Sequence, residues 1–229
     1  ADLDTLLDHY TPNELARLVG HSMGANIASM YAGTRPERVL QVAMLDFLGL
    51  NRTDHNDAPA QLGKWLDNLS GGHKLRPYRS TADLAKRLCQ SNPRLSSERA
   101  EFLSQNVSRV RPDGLIEMAC DPWHKIPSPS LYKIEDVMTF WRSIQCPVQM
   151  LIADDGFVFD RFGTDSDEYH ERIGCFSDLK IVRITNASHN IQHDQPEQVA
   201  QALESFLNRN QDEKKPPYGG LSGAMNLSC

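Results

Sequence analysis

The chain has 229 residues, 40% of them hydrophobic, and a formal net charge of −6. That length suits one domain, or one domain with a large insertion, and the hydrophobic share suffices for a core. The acidic balance disfavours a nucleic-acid partner, which needs clustered Lys and Arg. No apolar run reaches the ~20 residues of a membrane span, and no signal peptide is visible at the N-terminus. Cys89, Cys120, Cys146, Cys175 and Cys229 are scattered, odd in number and without any CxxC spacing. They read as reduced thiols of a cytoplasmic protein rather than a disulfide frame or zinc site. No metal or other cofactor is expected. The terminal Asn226-Leu227-Ser228-Cys229 is neither a peroxisomal address nor a prenylation box.

Residues 3–10 carry a short helical pattern that ends near Thr11 and Pro12. Residues 15–19 read as a first strand and residues 25–33 as a helix, stopped by Gly33 and Pro36. Residues 39–45 form a second buried strand that ends at Asp46. This is βαβ spacing, which predicts a parallel sheet. From about 50 to 143 the rhythm changes to helices and loops, with no convincing strand. Helices are expected over 60–69, from Ser80 to about Gln90, from Ser96 onward and over 134–144, with a Pro-rich extended loop over 111–133. The sheet pattern returns at 147–153, a polar helix falls within 164–174, and 179–184 is the last strand. An amphipathic helix over 197–207 closes the fold, and residues 209–229, polar and rich in Gly and Pro, are expected to be disordered. The reading is an α/β core of residues 1–49 and 144–208 interrupted by a helical cap, 50–143.

The chemistry centres on Gly20-His21-Ser22-Met23-Gly24, between the first strand and the first long helix. A serine on so sharp a turn projects above the sheet, and a Cβ on either flanking glycine is expected to clash. The following helix aims its N-terminus at developing negative charge, with the backbone N–H of Met23 as an oxyanion donor.

A serine nucleophile needs a base, and the base needs an orienting acid. His189 follows the last strand and takes the third place in the order Ser, acid, His. His193, four residues on, could share a face with His189, but no third metal ligand is apparent. Three carboxylates end strands where an α/β sheet places its ligands. Asp155 is preferred, because one residue of reach beyond the strand end points toward the histidine loop; Asp154 and Asp46 are the other candidates.

Gly20 to Gly24, the segment Arg35-Pro36-Glu37-Arg38-Val39, the cap words Ser91-Asn92-Pro93-Arg94-Leu95-Ser96-Ser97-Glu98 and the block from His189 to Pro196 resemble the α/β-hydrolases. More narrowly, they resemble the serine hydrolase-like branch with a helical cap. The resemblance covers roughly residues 1–208. It implies an α/β-hydrolase fold, a parallel sheet with flanking helices, with Ser22 as nucleophile, His189 as base and Asp155 as acid. Family members begin with several strands before the elbow, and one early loop, usually containing His-Gly, gives the second oxyanion donor. This chain shows neither, so its N-terminal strands are read as missing and residues 15–19 as an exposed sheet edge open to self-association.

The expected activity is therefore hydrolysis of a small-molecule ester, thioester or related acyl compound through an acyl-enzyme. Trp65, Leu69, Phe102, Leu103, Trp123, Phe140 and Trp141 are candidates for an apolar cap pocket. A serine at the elbow argues against the dehalogenases and epoxide hydrolases of the family, which use Asp there. The alternatives are a non-catalytic binding protein with a hydrolase fold, or a truncated chain.

Overall fold

The structure, a computed structural model, describes residues 1–71 and 74–208, so the expected disorder of 209–229 lies outside the described residues. The strands are β1 (Ala16–His21), β2 (Val39–Leu45), β3 (Ser108–Val110), β4 (Ile116–Met118), β5 (Val148–Ala153) and β6 (Leu179–Ile184). The helices are α1 (Asp2–Tyr10), α2 (Met23–Thr34), α3 (Ala58–Gly71), α4 (Thr81–Ser91), α5 (Ser97–Asn106), α6 (Ile134–Arg142), α7 (Phe157–Phe162), α8 (Asp167–Ile173), α9 (Ile191–Asp194) and α10 (Pro196–Leu207). β1, β2, β5 and β6 form one parallel sheet in that spatial order.

Alternation along the strands gives the sheet two apolar faces. Val42, Met44, Met150 and Ile152 pack with Ala25, Ala28 and Ala32 of α2 and with Ile134, Val137, Met138 and Trp141 of α6. Ala43, Leu45, Leu151 and Ala153 face the other way, onto Ile184, Val199 and Phe206. β5 is buried along its whole length, as an inner parallel strand covered on both faces must be.

The small residues of α2 let α6 approach closely. A Cβ at Gly33 would lie 2.1 Å from the carbonyl oxygen of Phe140. Gly33 is therefore a contact residue inside the helix and does not stop it; α2 runs on to Thr34, and Pro36 opens a 3₁₀ turn, Pro36–Arg38. Trp141 is fully buried and donates from Nε1 to Ser29 Oγ at 3.0 Å. α6 thus packs in the sheet core, and Trp141 is core packing instead of pocket lining.

Between β2 and α6, Ser80 and Ser96 cap α4 and α5 as the sequence suggests, each accepting from a backbone N–H at 3.2 Å. The expectation of no strand there is corrected by the β3–β4 hairpin, paired antiparallel, with Tyr78 bridging Ile116. Three-residue strands are too short to show a period of two, and α7 and α9 are likewise too short to show a helical one.

Among the described residues β1 pairs with β2 alone, and Leu15 and Val19 are 42% and 46% exposed. No helix among the described residues is long and apolar enough to cross a membrane.

Candidate active site

Ser22 sits between the end of β1 and the start of α2 with φ 53° and ψ −117°, a conformation that side-chain-bearing residues rarely adopt. Its backbone N–H donates to Leu45 O at 3.1 Å, which ties the elbow to β2. A Cβ at Gly20 would lie 2.3 Å from Gly24 O and 2.5 Å from Ala25 N. Gly20 is therefore required by the fold of the chain back over itself. Gly24 is not: a Cβ there meets nothing within 4 Å, so the expected clash exists on one flank only. Met23 is the first residue of α2, where N–H groups have no acceptor inside the helix.

His189 lies on the loop between β6 and α9. Its Nε2 is 2.9 Å from Ser22 Oγ and its Nδ1 is 2.9 Å from Asp46 Oδ2. A carboxylate only accepts, so Nδ1 carries the proton, and Nε2 is left with the lone pair that can receive the serine proton. Asp46 is fully buried and follows β2 directly, with φ 46°. Its Oδ2 also accepts from Phe157 N at 2.7 Å and its Oδ1 from Ala153 N at 3.2 Å. Room for this carboxylate exists because residue 156 is glycine: a Cβ there would lie 2.6 Å from Asp46 Oδ2 and 2.5 Å from the Ala153 Cβ.

The carboxylate facing His189 is therefore Asp46, and the preference for Asp155 is corrected. After β5 the chain turns sharply, with Asp155 N donating to Ala187 O at 3.2 Å. That turn carries the Asp155 side chain out to solvent, where it pairs at 2.5 Å with Arg94, between α4 and α5. Asp154 accepts from the N–H groups of Asn186 and Ala187 at 3.0 and 3.2 Å. These bonds hold its carboxyl below the usual range and anchor the histidine loop. Both residues serve the loop, and neither touches the imidazole ring.

Two further side chains hold His189. His21 Nε2–H donates to its carbonyl at 2.8 Å. The ring of Phe157 lies 5.2 Å from the imidazole, centre to centre. Burial lowers the pKa of His21 and keeps that donor neutral, and burial does the same to His193. Neither role had a sequence signal beyond position next to a candidate residue. Among the described residues no group of three or more His, Cys, Asp and Glu is placed to hold a metal ion.

Beside the histidine loop, Leu88, Leu95, Leu103, Val107, Met118 and His193 line a cavity of about 200 Å³. Of the expected pocket residues only Leu103 is on this wall; Phe102 and Trp123 are 65% and 51% exposed.

Residues 1–196 match the family model of the alpha/beta hydrolase fold. A serine hydrolase-like protein of Danio rerio is 30% identical over 199 residues, covering 83% of this chain and 60% of its own length. A serine hydrolase-like protein of Dictyostelium discoideum is 26% identical over 140 residues, covering 58% of this chain and 39% of its own. The chain thus spans 60% or less of the curated relatives it matches. Among solved structures, a hypothetical protein of Pseudomonas aeruginosa superposes with a TM-score of 0.76 at 24% identity, covering 90% of this chain and 73% of that one. The thioesterase domain of the curacin biosynthetic pathway gives 0.70 at 24%, covering 88% and 69%. A parallel sheet, a strained serine between strand and helix, and a match over most of the length agree: the chain belongs to the alpha/beta hydrolase fold family.

Proposed function

We propose that this protein is a serine hydrolase that cleaves an ester, thioester or related acyl compound of low molecular weight. The observation that carries the reading is the unbroken hydrogen-bond chain from Ser22 Oγ through His189 to Asp46, with 2.9 Å at each link. Ser22 Oγ attacks the acyl carbon while His189 Nε2 takes its proton, and Asp46 stabilises the imidazolium that forms. The oxyanion is received at the α2 N-terminus by the Met23 N–H. His189 then returns its proton to the leaving oxygen or sulfur as the bond to the acyl carbon breaks. Water attacks the acyl-serine with His189 again as base, releasing the acid and restoring Ser22. The thioesterase neighbour supports this substrate class, and the apolar cavity beside the loop suits an acyl group better than a charged one.

Labelling by a fluorophosphonate probe tests the reading. Ser22 becomes labelled in the native chain, and labelling is lost in Ser22→Ala and His189→Ala. A cooperatively folded native chain without labelling would overturn catalysis by Ser22 and favour a binding role for the same fold.

Two coarser parts of the reading have their own supports. Cys89, Cys120, Cys146 and Cys175 are free thiols, which suits a reducing, cytoplasmic location. The edge of β1, unpaired among the described residues, supports pairing with a second copy; Val19→Lys, which places charge on that edge, is expected to shift a dimer toward monomer in sedimentation.

A further inference from the structure

Asp194 ends α9 and is 4% exposed. Its carboxylate accepts three hydrogen bonds. Oδ2 takes the backbone N–H and the hydroxyl of Ser188, both at 2.8 Å, and Oδ1 takes Asn92 Nδ2 at 2.5 Å. All three donors are uncharged. The neighbouring cation, Arg99, is directed elsewhere: Nη1 donates to the Asp194 carbonyl at 2.8 Å and Nη2 to Glu197 at 3.3 Å. A buried carboxylate is costly to desolvate, and here neutral donors alone offset that cost.

What it determines is the backbone at Ser188, the residue before His189. Asn92 comes from the cap, is itself buried, and has its amide oriented because its Oδ1 accepts from Arg94 N at 3.1 Å. A covalent and hydrogen-bonded path therefore leads from the cap through Asn92, Asp194 and Ser188 to the imidazole.

We propose that Asn92 and Asp194 are positioning residues: through this buried pair the cap sets the ring of His189 between Ser22 and Asp46. The inference rests on the reading of those three residues as the reacting groups. The pair touches no reacting atom. It acts by holding the loop in the register that gives both contacts of the imidazole, so the seating of the cap loop governs the rate of acylation.

Reversing the polarity of the bond tests this. Asp194→Asn keeps an oxygen for Ser188 but turns an NH₂ toward the Asn92 amide. Asn92→Asp sets two carboxylates face to face. The double variant N92D/D194N restores an amide-to-carboxylate bond in the opposite sense, and Asp at 92 can still accept from Arg94 N. Each single variant is expected to slow fluorophosphonate labelling of the folded protein about 10- to 100-fold, with KM for an acyl ester nearly unchanged. The double variant is expected to recover to within about threefold of native. The downfield proton NMR signal of His189 Nδ1–H should weaken in the single variants and return in the double. That signal needs no turnover, so a native chain that shows it without labelling fails the hydrolase reading while the positioning claim is still tested. Native labelling rates and an unmoved signal in folded single variants, or a double variant no better than either single, would overturn the claim. Should the single variants fold poorly, Ser188→Ala removes one hydroxyl bond alone, and a smaller loss of the same kind is expected.

Discussion

Asp46 and His189, 143 positions apart in the chain, meet at 2.9 Å at the ends of neighbouring parts of one sheet. The contact joins the C-terminal end of β2 to the loop after β6, across the end of β5. Of three carboxylates that all follow strands, it is Asp46 that stands against the imidazole.

Removing the charge at Asp46 therefore differs from removing it at Asp155. Asp46→Asn is expected to lower turnover about 10³–10⁴-fold, because an amide no longer holds the imidazole in the right tautomer. Asp155→Asn loses an exposed ion pair with Arg94 and is expected to stay within about threefold of native. Parallel labelling rates on the two variants check this, and equal losses would refute the assignment.

The glycines of the elbow should also separate. Gly20→Ala places a methyl 2.3 Å from a carbonyl oxygen and is expected to abolish labelling, either by displacing Ser22 or by unfolding the chain. Gly24→Ala meets no atom within 4 Å inside a helix, and is expected to raise stability by about 0.5–1 kcal/mol. Thermal melts and labelling of both variants give the comparison.

Protonation should destabilise the fold at mildly acidic pH through two half-buried imidazoles. The pKa values of His21 and His193 are lowered from 6.5 by burial, so the unfolded chain binds more protons than the native one below that pH. Stability is thus complete above 6.5 and is lost as pH falls toward the native pKa values. Melting temperature is expected to drop as pH falls below about 6.5, and to drop less steeply in His193→Gln.

Thiol reactivity offers a check on packing. Burial pushes the Cys146 thiol up to about 11, and Cys175 is raised in the same way. Cys89 and Cys120 are partly exposed. Iodoacetamide at pH 8 is expected to modify Cys89 and Cys120 in the native chain and to reach Cys146 only after unfolding.

Much of this arrangement is legible in the sequence, and the remainder is hidden for definite reasons. The runs at 39–45 and 147–153 are apolar throughout because strands buried on two faces have no polar side to show. Ser22 and His189 stand out because a turn and a loop carry them. Asp46 does not stand out over Asp155, since local pattern ranks reach along the chain, whereas the decisive fact is which strand ends lie side by side. One residue did hold the information. Gly156, next to Asp155, is the buried glycine whose missing side chain leaves space for another carboxylate. The words around Asn92 carried a resemblance but no sign of a partner; the bond from Asn92 to Asp194 joins residues 102 positions apart, which local pattern cannot show.

The volume beside Ala153 holds either the carboxylate of residue 46 or a side chain at residue 156. The two positions thus exclude each other: a carboxylate at the first, 46, needs glycine at the second, 156. Relatives with the acid at the first place should keep glycine at the second, and departures from that pairing should coincide with relocation of the acid.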